Sequence, residues 1–163
     1  MNLCSKSEER GGINMDENTD IILIREIESK DYISIDLIWR KVFDLGSITD
    51  ESVVKTCEKI KNDDRYHIFV ADMNGKVIGF VTIVESLAIN LPNGYIKVNG
   101  LAVLPEFQCC GVGKMLMRRV EKLAVDRNVS LIEVASGFKR TNAHEFYEHL
   151  GYRKTSYRFS KRI

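Results

Sequence analysis

The stretch Leu101-Ala-Val-Leu-Pro-Glu-Phe-Gln-Cys-Cys-Gly-Val-Gly-Lys-Met-Leu-Met117 is the most informative part of this sequence. Its apolar start is typical of a strand, Pro105 marks a turn, and a glycine-bearing loop then opens a helix with apolar residues at helical spacing. Such a junction directs several backbone N–H groups and the positive end of a helix dipole at one point. Because phosphate groups bind at such points, the stretch predicts an anion site.

Two other phosphate-binding loops share some of these letters but make different demands. A Walker A loop needs a glycine five positions before its Gly-Lys pair and a hydroxyl after the lysine, where this chain has Gln108 and Met115. A dinucleotide-binding loop needs a small residue three positions after Gly113, where this chain has Leu116. The pattern that remains is Q-x-x-G-x-G after the end of a strand.

That pattern resembles the acyl-CoA loop of the GNAT superfamily of N-acetyltransferases, in which Arg or Gln opens the motif. The later segment Ala143–Tyr152 resembles the late helix and following strand of the same superfamily, written A-x-x-F-Y-E-x-x-G-F. Between the two segments lie a predicted helix and a predicted strand, as the superfamily requires. The motif resemblance covers about Tyr95 to Tyr152, and the N-terminal half agrees in pattern only.

The resemblance implies acetyl-CoA as cosubstrate and assigns roles to named residues. Backbone groups of Leu101, Ala102 and Val103 would hold the pantetheine arm and the acyl carbonyl. Tyr147 would donate a proton to the departing thiolate, and Arg140 stands where the superfamily often has an Asn that contacts the cofactor. Main-chain amides of the loop would bind the pyrophosphate, and these residues are Gln108, Cys109, Cys110, Gly111, Val112, Gly113 and Lys114.

Alternatives stay open for several of these residues. The loop could be a plain strand-to-helix connection, and Tyr147 could be a packed helix residue beside Phe146. A covalent mechanism at Cys109 is disfavoured because the sequence places no orienting His or acid beside it. His144 could face the cleft or be solvated.

The sequence offers no obvious general base. Many superfamily members have a Glu or Asp on the strand before the loop, where this chain has Asn99 and Gly100. A lysine-like amine with a pKa near ~10.4 needs roughly 4 to 5 kcal/mol to lose its proton at pH 7, whereas an α-amine near ~8 needs only about 1. We therefore expect either an amine of low pKa or a water that links the amine to Glu85 or Glu133.

Composition excludes several classes of protein. With 24 Lys plus Arg against 23 Asp plus Glu, the charge balance does not favour nucleic acid or an acidic membrane as partner. The apolar runs fall far short of the ~20 residues that span a bilayer. The 4 cysteines show no zinc-binding spacing, so we expect no metal, reduced thiols and a cytoplasmic location. At 163 residues the chain predicts one domain, residues 21–163, after a polar N-terminal extension, residues 1–20.

Periodicity and turn residues predict the order β-α-α-β-β-β-α-β-α-β, an α/β fold with a mixed, mostly antiparallel sheet flanked by helices, as in GNAT proteins. The Asn74-Gly75 pair predicts a hairpin, Leu91–Gly94 a turn, and Gly151 the end of the last helix. Predicted strands are 21–27, 67–71, 76–84, 95–104, 131–135 and a last strand or hairpin over 152–163, and predicted helices are 30–44, 50–61, 111–128 and 142–150.

These features predict an acetyl-CoA-dependent N-acetyltransferase that acts by direct attack of a primary amine, with a small-molecule acceptor favoured. Two alternatives are a protein N-terminal or lysine acetyltransferase and a non-catalytic acyl-CoA-binding regulatory module. The region expected to shape the acceptor pocket contains no motif, so Trp39, Phe43 and Tyr66 could line the pocket or belong to the core. Dimers are common in the superfamily, so the resemblance also suggests a homodimer.

Overall fold

The computed structural model describes residues 21–43 and 50–163. The predicted extension, residues 1–20, and the predicted last residue of the first helix, Asp44, lie outside the described residues.

Five strands form a single sheet in sequence order. Neighbouring strands are antiparallel from the first to the fourth, and the fifth pairs with the fourth in parallel, which confirms the mixed, mostly antiparallel sheet. Asn74 and Gly75 make the two-residue hairpin turn with φ angles of 52° and 85°, as a type I′ turn requires. The strands are β1 (Ile22–Glu26), β2 (Tyr66–Met73), β3 (Lys76–Ala88), β4 (Leu91–Val103) and β5 (Ile132–Val134).

Four helices flank the sheet, each close to its predicted position. They are α1 (Tyr32–Phe43), α2 (Asp50–Lys61), α3 (Val112–Asp126) and α4 (Thr141–His149), with short 3₁₀ turns at Ser29–Asp31 and Pro105–Phe107. The apolar stripe predicted on α3 is buried as expected, and it consists of Val112, Leu116, Val120, Leu123 and Ala124. This stripe attaches the helix that follows the loop firmly to the sheet.

The helices lie on opposite faces of the sheet. Trp39 of α1 stacks on Phe80, with ring centroids 5.7 Å apart. Arg119 of α3 lies 4.3 Å from the ring centre of Phe69, which pairs with Val81. Phe69 points to the same face as its partner Val81, and successive residues of a strand such as Phe80 and Val81 point to opposite faces. Helix α1 therefore packs on one face of the sheet and α3 on the other.

The buried side of α1 differs from the prediction. The sequence places Ile33, Leu37, Ile38 and Val42 at helical spacing, which predicts that they face the core. In the structure, however, Ile33 is 43% and Leu37 60% exposed. The helix instead turns Tyr32, Ile35, Asp36 and Ile38 inward. Both sets of residues recur at helical spacing, so the sequence pattern does not decide between them. In the buried set, the Asp36 carboxylate is paired with Arg40 at 2.5 Å.

Two further predictions are wrong. Leu91–Gly94 belongs to β4, and the chain reverses at Ile89-Asn90, because Ala88 already pairs with Leu91. The pairing of β3 with β4 is irregular between Leu91 and Tyr95, a segment that includes Pro92. Proline lacks an N–H and is tolerated at such irregular positions. No strand is present over residues 152–163: beyond Tyr152 the side chains are exposed, and this segment pairs with no strand among the described residues.

Candidate active site

A cleft opens where β4 and β5 separate. Their parallel pairing covers only Ile96–Val98 against Ile132–Val134, so the end of β4 has no neighbour on that side among the described residues. On its other side, β4 pairs Val98 with Ile83 and Gly100 with Thr82, which leaves Asn99 as the extra residue of a β-bulge. Because alternate backbone groups of a strand point to opposite edges, N–H and C=O groups between Asn99 and Val103 point into the cleft.

The cleft has a volume of about 890 Å³, within the usual range for small-molecule sites. Five elements and the loops between them contribute to its wall: α1, β4, β5, α3 and α4. Of the predicted site residues, those that line it are Leu101, Ala102, Val103, Gln108, Cys109, Gly111, Gly113, Lys114, Arg140 and Tyr147.

The loop that begins at Gln108 is held against the end of β4. The Gln108 side chain donates a hydrogen bond from Nε2 to the carbonyl oxygen of Val103, at 3.0 Å. Cys109 and Gly111 both adopt positive φ, at 61° and 82°. Gly111 tolerates that conformation at no steric cost, whereas Cys109 is strained by it. Turns that contain left-handed residues can direct successive amides toward a common point, as in anion-binding backbone concavities.

Gly111 is the residue that caps α3, and its carbonyl accepts the first helical bond, from the Met115 N–H at 3.0 Å. The N–H groups of Val112, Gly113 and Lys114 precede that bond, so the helix itself supplies them no acceptor. A side chain at Gly113 would place its Cβ 3.2 Å from Cζ of Phe146, so Gly113 allows α4 to approach. A Cβ at Gly111 would meet nothing within 4 Å. The space beside the Gly111 Cα is therefore empty, so a ligand can approach the backbone there.

Tyr147 lies on α4 at the wall of the cleft. Its ring packs edge-on against Phe146 and Tyr152, with centroids 5.2 and 5.8 Å away. Burial raises the pKa of the Tyr147 phenol, and the positive charge of Arg140 acts in the opposite direction. The hydroxyl therefore stays protonated at neutral pH and can donate a proton.

Aromatic residues of α1 form the opposite wall. Trp39 covers Gly100, because a Cβ built there would lie 2.3 Å from Cζ3 of the indole. Phe43 follows at 4.4 Å between ring centroids, and Cζ of Arg140 lies 4.3 Å from the centre of the Phe43 ring. Arg140 thus reaches from the start of α4 to the end of α1, across the gap between β4 and β5.

Positive charges and the absence of carboxylates characterise this cleft. Lys114, Lys139 and Arg140 line it, and no Asp or Glu does so within residues 21–43 and 50–163. Glu85 is engaged elsewhere, with Oε1 3.3 Å from Nε2 of His67 and 3.3 Å from Nε of Arg127.

Glu133 lies on β5 opposite Lys97, is exposed, and does not line the cleft. Neither of the two glutamates considered as a distant base therefore lines the cleft.

Some predicted residues lie away from the cavity surface. Cys110 and Val112, both predicted to bind the pyrophosphate, do not line the cleft. His144 binds the Gly137 carbonyl through Nε2 at 2.9 Å, and Tyr66 lines a separate cavity of about 350 Å³. Residues that line the cleft without having been assigned to it include Lys139 and His149. The basic pair Lys139-Arg140 just before a predicted helix was the available signal.

The described helices include none that is both long and apolar enough to cross a bilayer. Over the same residues, no group of three His, Cys, Asp or Glu side chains could hold a metal ion.

Comparison with known proteins agrees with this geometry. The model of the acetyltransferase (GNAT) family matches residues 24–152. An aminoalkylphosphonate N-acetyltransferase of Salmonella typhimurium is 27% identical over 131 residues, 71% of this chain and 85% of that protein.

Two solved structures share the fold. An aminoglycoside acetyltransferase from an uncultured soil metagenomic sample, solved with trehalose, has a TM-score of 0.77 at 19% identity and covers 87% of this chain and 96% of its own. An aminoglycoside N-acetyltransferase in complex with CoA has a TM-score of 0.78 at 18% identity, with coverage of 90% and 97%.

Proposed function

The chain belongs to the GNAT family of acetyltransferases and is an N-acetyltransferase, and we propose that it transfers the acetyl group of acetyl-CoA directly to the primary amine of a small molecule. The central observation is one continuous cleft that combines the free edge of β4, the open amides of the loop and the Tyr147 hydroxyl. Each of the three matches one need of the reaction: a place for the thioester, a place for the pyrophosphate and a proton donor.

The loop residues fit a coenzyme A diphosphate. Gly111 leaves space beside its backbone, and the N–H groups of Val112, Gly113 and Lys114 begin a helix whose dipole favours negative charge. Lys114 adds a full positive charge at the same end of the cleft. The hydrogen bond from Gln108 to Val103 holds the loop beside the strand on which the thioester would lie. Binding and positioning would therefore supply much of the rate acceleration.

The chemical step uses few side chains. Acetyl-CoA supplies the thioester: the amine nitrogen bonds to the acyl carbon, the C–S bond breaks, and the sulfur takes the phenolic proton of Tyr147, which solvent restores with the proton lost by the amine. Backbone N–H groups at the bulge of β4 are suited to polarise the acyl carbonyl. Burial keeps Tyr147 protonated until it is needed.

A small acceptor is supported by the cleft and by the relatives. The volume of about 890 Å³ has to accommodate the thioester arm as well as the acceptor. The relative from Salmonella typhimurium carries an aminoalkylphosphonate in its name, and a solved structure of similar fold is an aminoglycoside acetyltransferase. A protein acceptor and a role as an acyl-CoA sensor remain outcomes of the test.

The test combines acetyl-CoA binding with product analysis. Calorimetry would measure the Kd of acetyl-CoA, and mass spectrometry would identify acetylated products over amines, amino acids, amino sugars and peptides. Gly111→Trp should weaken binding at least about a hundredfold, because it removes the approach to several charge-assisted hydrogen bonds. Gly75→Trp is the matched control: Gly75 also has a positive φ and open space, but it lies in the β2–β3 turn.

The outcomes separate the alternatives. N-acetylated small amines, with binding lost only in Gly111→Trp, support the proposal. Acetylated peptides without acetylated small amines would indicate a protein acetyltransferase. Tight binding of acetyl-CoA without any acetylated product would favour a sensor. No binding by the unaltered protein would overturn the proposal.

A further inference from the structure

We propose that the acceptor is an amine that also carries an anionic group, a phosphonate, phosphate or carboxylate, and that Arg140 binds this group. This inference rests on the proposed function and concerns the acceptor end of the same cleft. It reassigns Arg140, which the family resemblance would place on the cofactor.

The position of Arg140 is the first argument. Its guanidinium lies on the ring of Phe43, next to Trp39, and Trp39 covers Gly100 at the bulge of β4. These contacts form an unbroken wall that leads from the reactive part of β4 to the guanidinium. The pyrophosphate loop comes just before α3, and Lys114 lies in the first turn of α3. This helix packs on the other face of the sheet from α1. The cleft therefore has a cation at each end, and the one at α1 is on the side away from the cofactor loop.

The charge of this end is the second argument. Lys139 and Arg140 both line the cleft, and across the described residues no carboxylate lines it or forms an ion pair with the Arg140 guanidinium. A guanidinium held on an aromatic ring keeps its edge available for two parallel hydrogen bonds to an oxyanion. A polycationic acceptor would meet repulsion here, whereas a zwitterion with one amine and one anion would be attracted.

The same charges address the absence of a general base. A positive charge close to an ammonium group disfavours its charged form and so lowers its pKa. An anion that is paired with Arg140 no longer stabilises the ammonium of the same molecule. The acceptor amine is thereby easier to deprotonate next to Lys139 and Arg140 than in water, without a carboxylate in the cleft.

The experiment uses two matched pairs of amines. β-Alanine is compared with its neutral carboxamide, and 2-aminoethylphosphonate with ethanolamine, each at saturating acetyl-CoA. We expect kcat/KM to favour the anionic member of at least one pair. Arg140→Gln should lower kcat/KM for that amine about tenfold or more, mainly through KM, while the neutral partner changes by no more than about twofold. Arg140→Lys should restore part of the loss.

Two controls locate the effect. Arg153→Gln removes the same charge from an exposed residue that does not line the cleft, and it should leave every rate unchanged. The KM of acetyl-CoA, measured in each variant, should change little in Arg140→Gln. A large rise in that KM, equal losses for anionic and neutral amines, or a preference for the neutral amine in both pairs would overturn the assignment. Each of these results would overturn only the role of Arg140 and would leave the proposed acetyltransfer unaffected. A protein that neither binds acetyl-CoA nor acetylates any amine would instead contradict the proposed function.

Discussion

The Tyr147 hydroxyl combines an apolar setting with a position in the cleft wall. Its ring is held between Phe146 and Tyr152, so replacement by Phe retains the packing and removes only the proton donor. We expect Tyr147→Phe to lower kcat by about 10²-fold and to leave the KM of acetyl-CoA nearly unchanged. Steady-state kinetics at saturating amine would measure both. An unaltered kcat would contradict a role in proton donation.

The pH dependence of the same step follows from the raised pKa of Tyr147. A proton donor acts below its pKa, and burial moves that pKa above the ordinary value of 10.0. Loss of this proton should therefore not limit kcat between about pH 6 and about pH 9. Tyr152→Phe is the control, because Tyr152 shares the aromatic cluster but its buried hydroxyl has no hydrogen-bond partner among the described residues. That variant should retain full activity.

Gly100 illustrates why the residue before the loop motif cannot be judged from the sequence alone. The sequence indicated only that a carboxylate was missing at Asn99 and Gly100. In the structure, Gly100 is the place where Trp39 approaches the backbone, and Asn99 is the extra residue of the bulge. Both facts depend on the pairing of β3 with β4 and on the side from which α1 packs, and neither leaves a local signal.

The contact between α1 and β4 is a testable link between elements. Gly100→Ala would place a Cβ 2.3 Å from Cζ3 and 2.6 Å from Cη2 of Trp39, and such overpacking should cost about 1–3 kcal/mol. Trp39→Phe removes those indole atoms, so Gly100→Ala should cost about 1 kcal/mol less in that background. Urea unfolding of the four proteins measures this coupling. Strictly additive effects would show that the ring does not restrict this position.

A second link joins β1, β2 and the 3₁₀ turn before α1. Arg25 donates to buried Asp31 from Nη1 at 2.6 Å and to Asp72 from Nη2 at 2.7 Å. Burial alone would raise the pKa of Asp31, but the bonds from Arg25 and from the Glu28 N–H lower it below its ordinary 3.8. Arg25→Met would leave the Asp31 carboxylate buried without its cation, which should cost about 3–5 kcal/mol near pH 7.

The sign of the pH effect distinguishes this ion pair from simple packing. A carboxyl whose pKa is lowered by folding adds stability above its unfolded pKa of 3.8 and loses it as pH falls through the folded pKa. Because burial without the cation raises the Asp31 pKa in Arg25→Met, the difference between the two proteins should begin to shrink above about pH 4 and continue to shrink as the pH falls further. Arg65→Met, which breaks the exposed pair with Asp63, should show little change at any pH. A constant difference across this range would indicate lost packing instead.

At the scale of the whole molecule, local patterns predicted the elements and their order, and long-range pairing decided the rest. The hairpin at Asn74-Gly75 and the stripe of α3 were predicted because turn chemistry and helical period are local. The strand or hairpin expected over residues 152–163 has no partner strand in the described part of the chain, and no local pattern reveals a missing partner. The loop over residues 108–113 was predictable because, like the hairpin, it has a local sequence pattern. The wall from Trp39 to Arg140 was not predictable, because it joins residues about a hundred positions apart.

Because the cleft is lined by α1, β4, β5, α3 and α4, a ligand in it should stabilise the entire fold rather than one loop. Acetyl-CoA at a hundred times its Kd should add about 2.7 kcal/mol to the free energy of unfolding, which corresponds to a rise in Tm of about 5–10 °C for a chain of this size. Scanning calorimetry with and without acetyl-CoA measures this shift. Gly111→Trp should lose the shift and Gly75→Trp should retain it, since only the former obstructs the loop amides. A Tm that rises equally in both variants would show that acetyl-CoA binds outside the cleft.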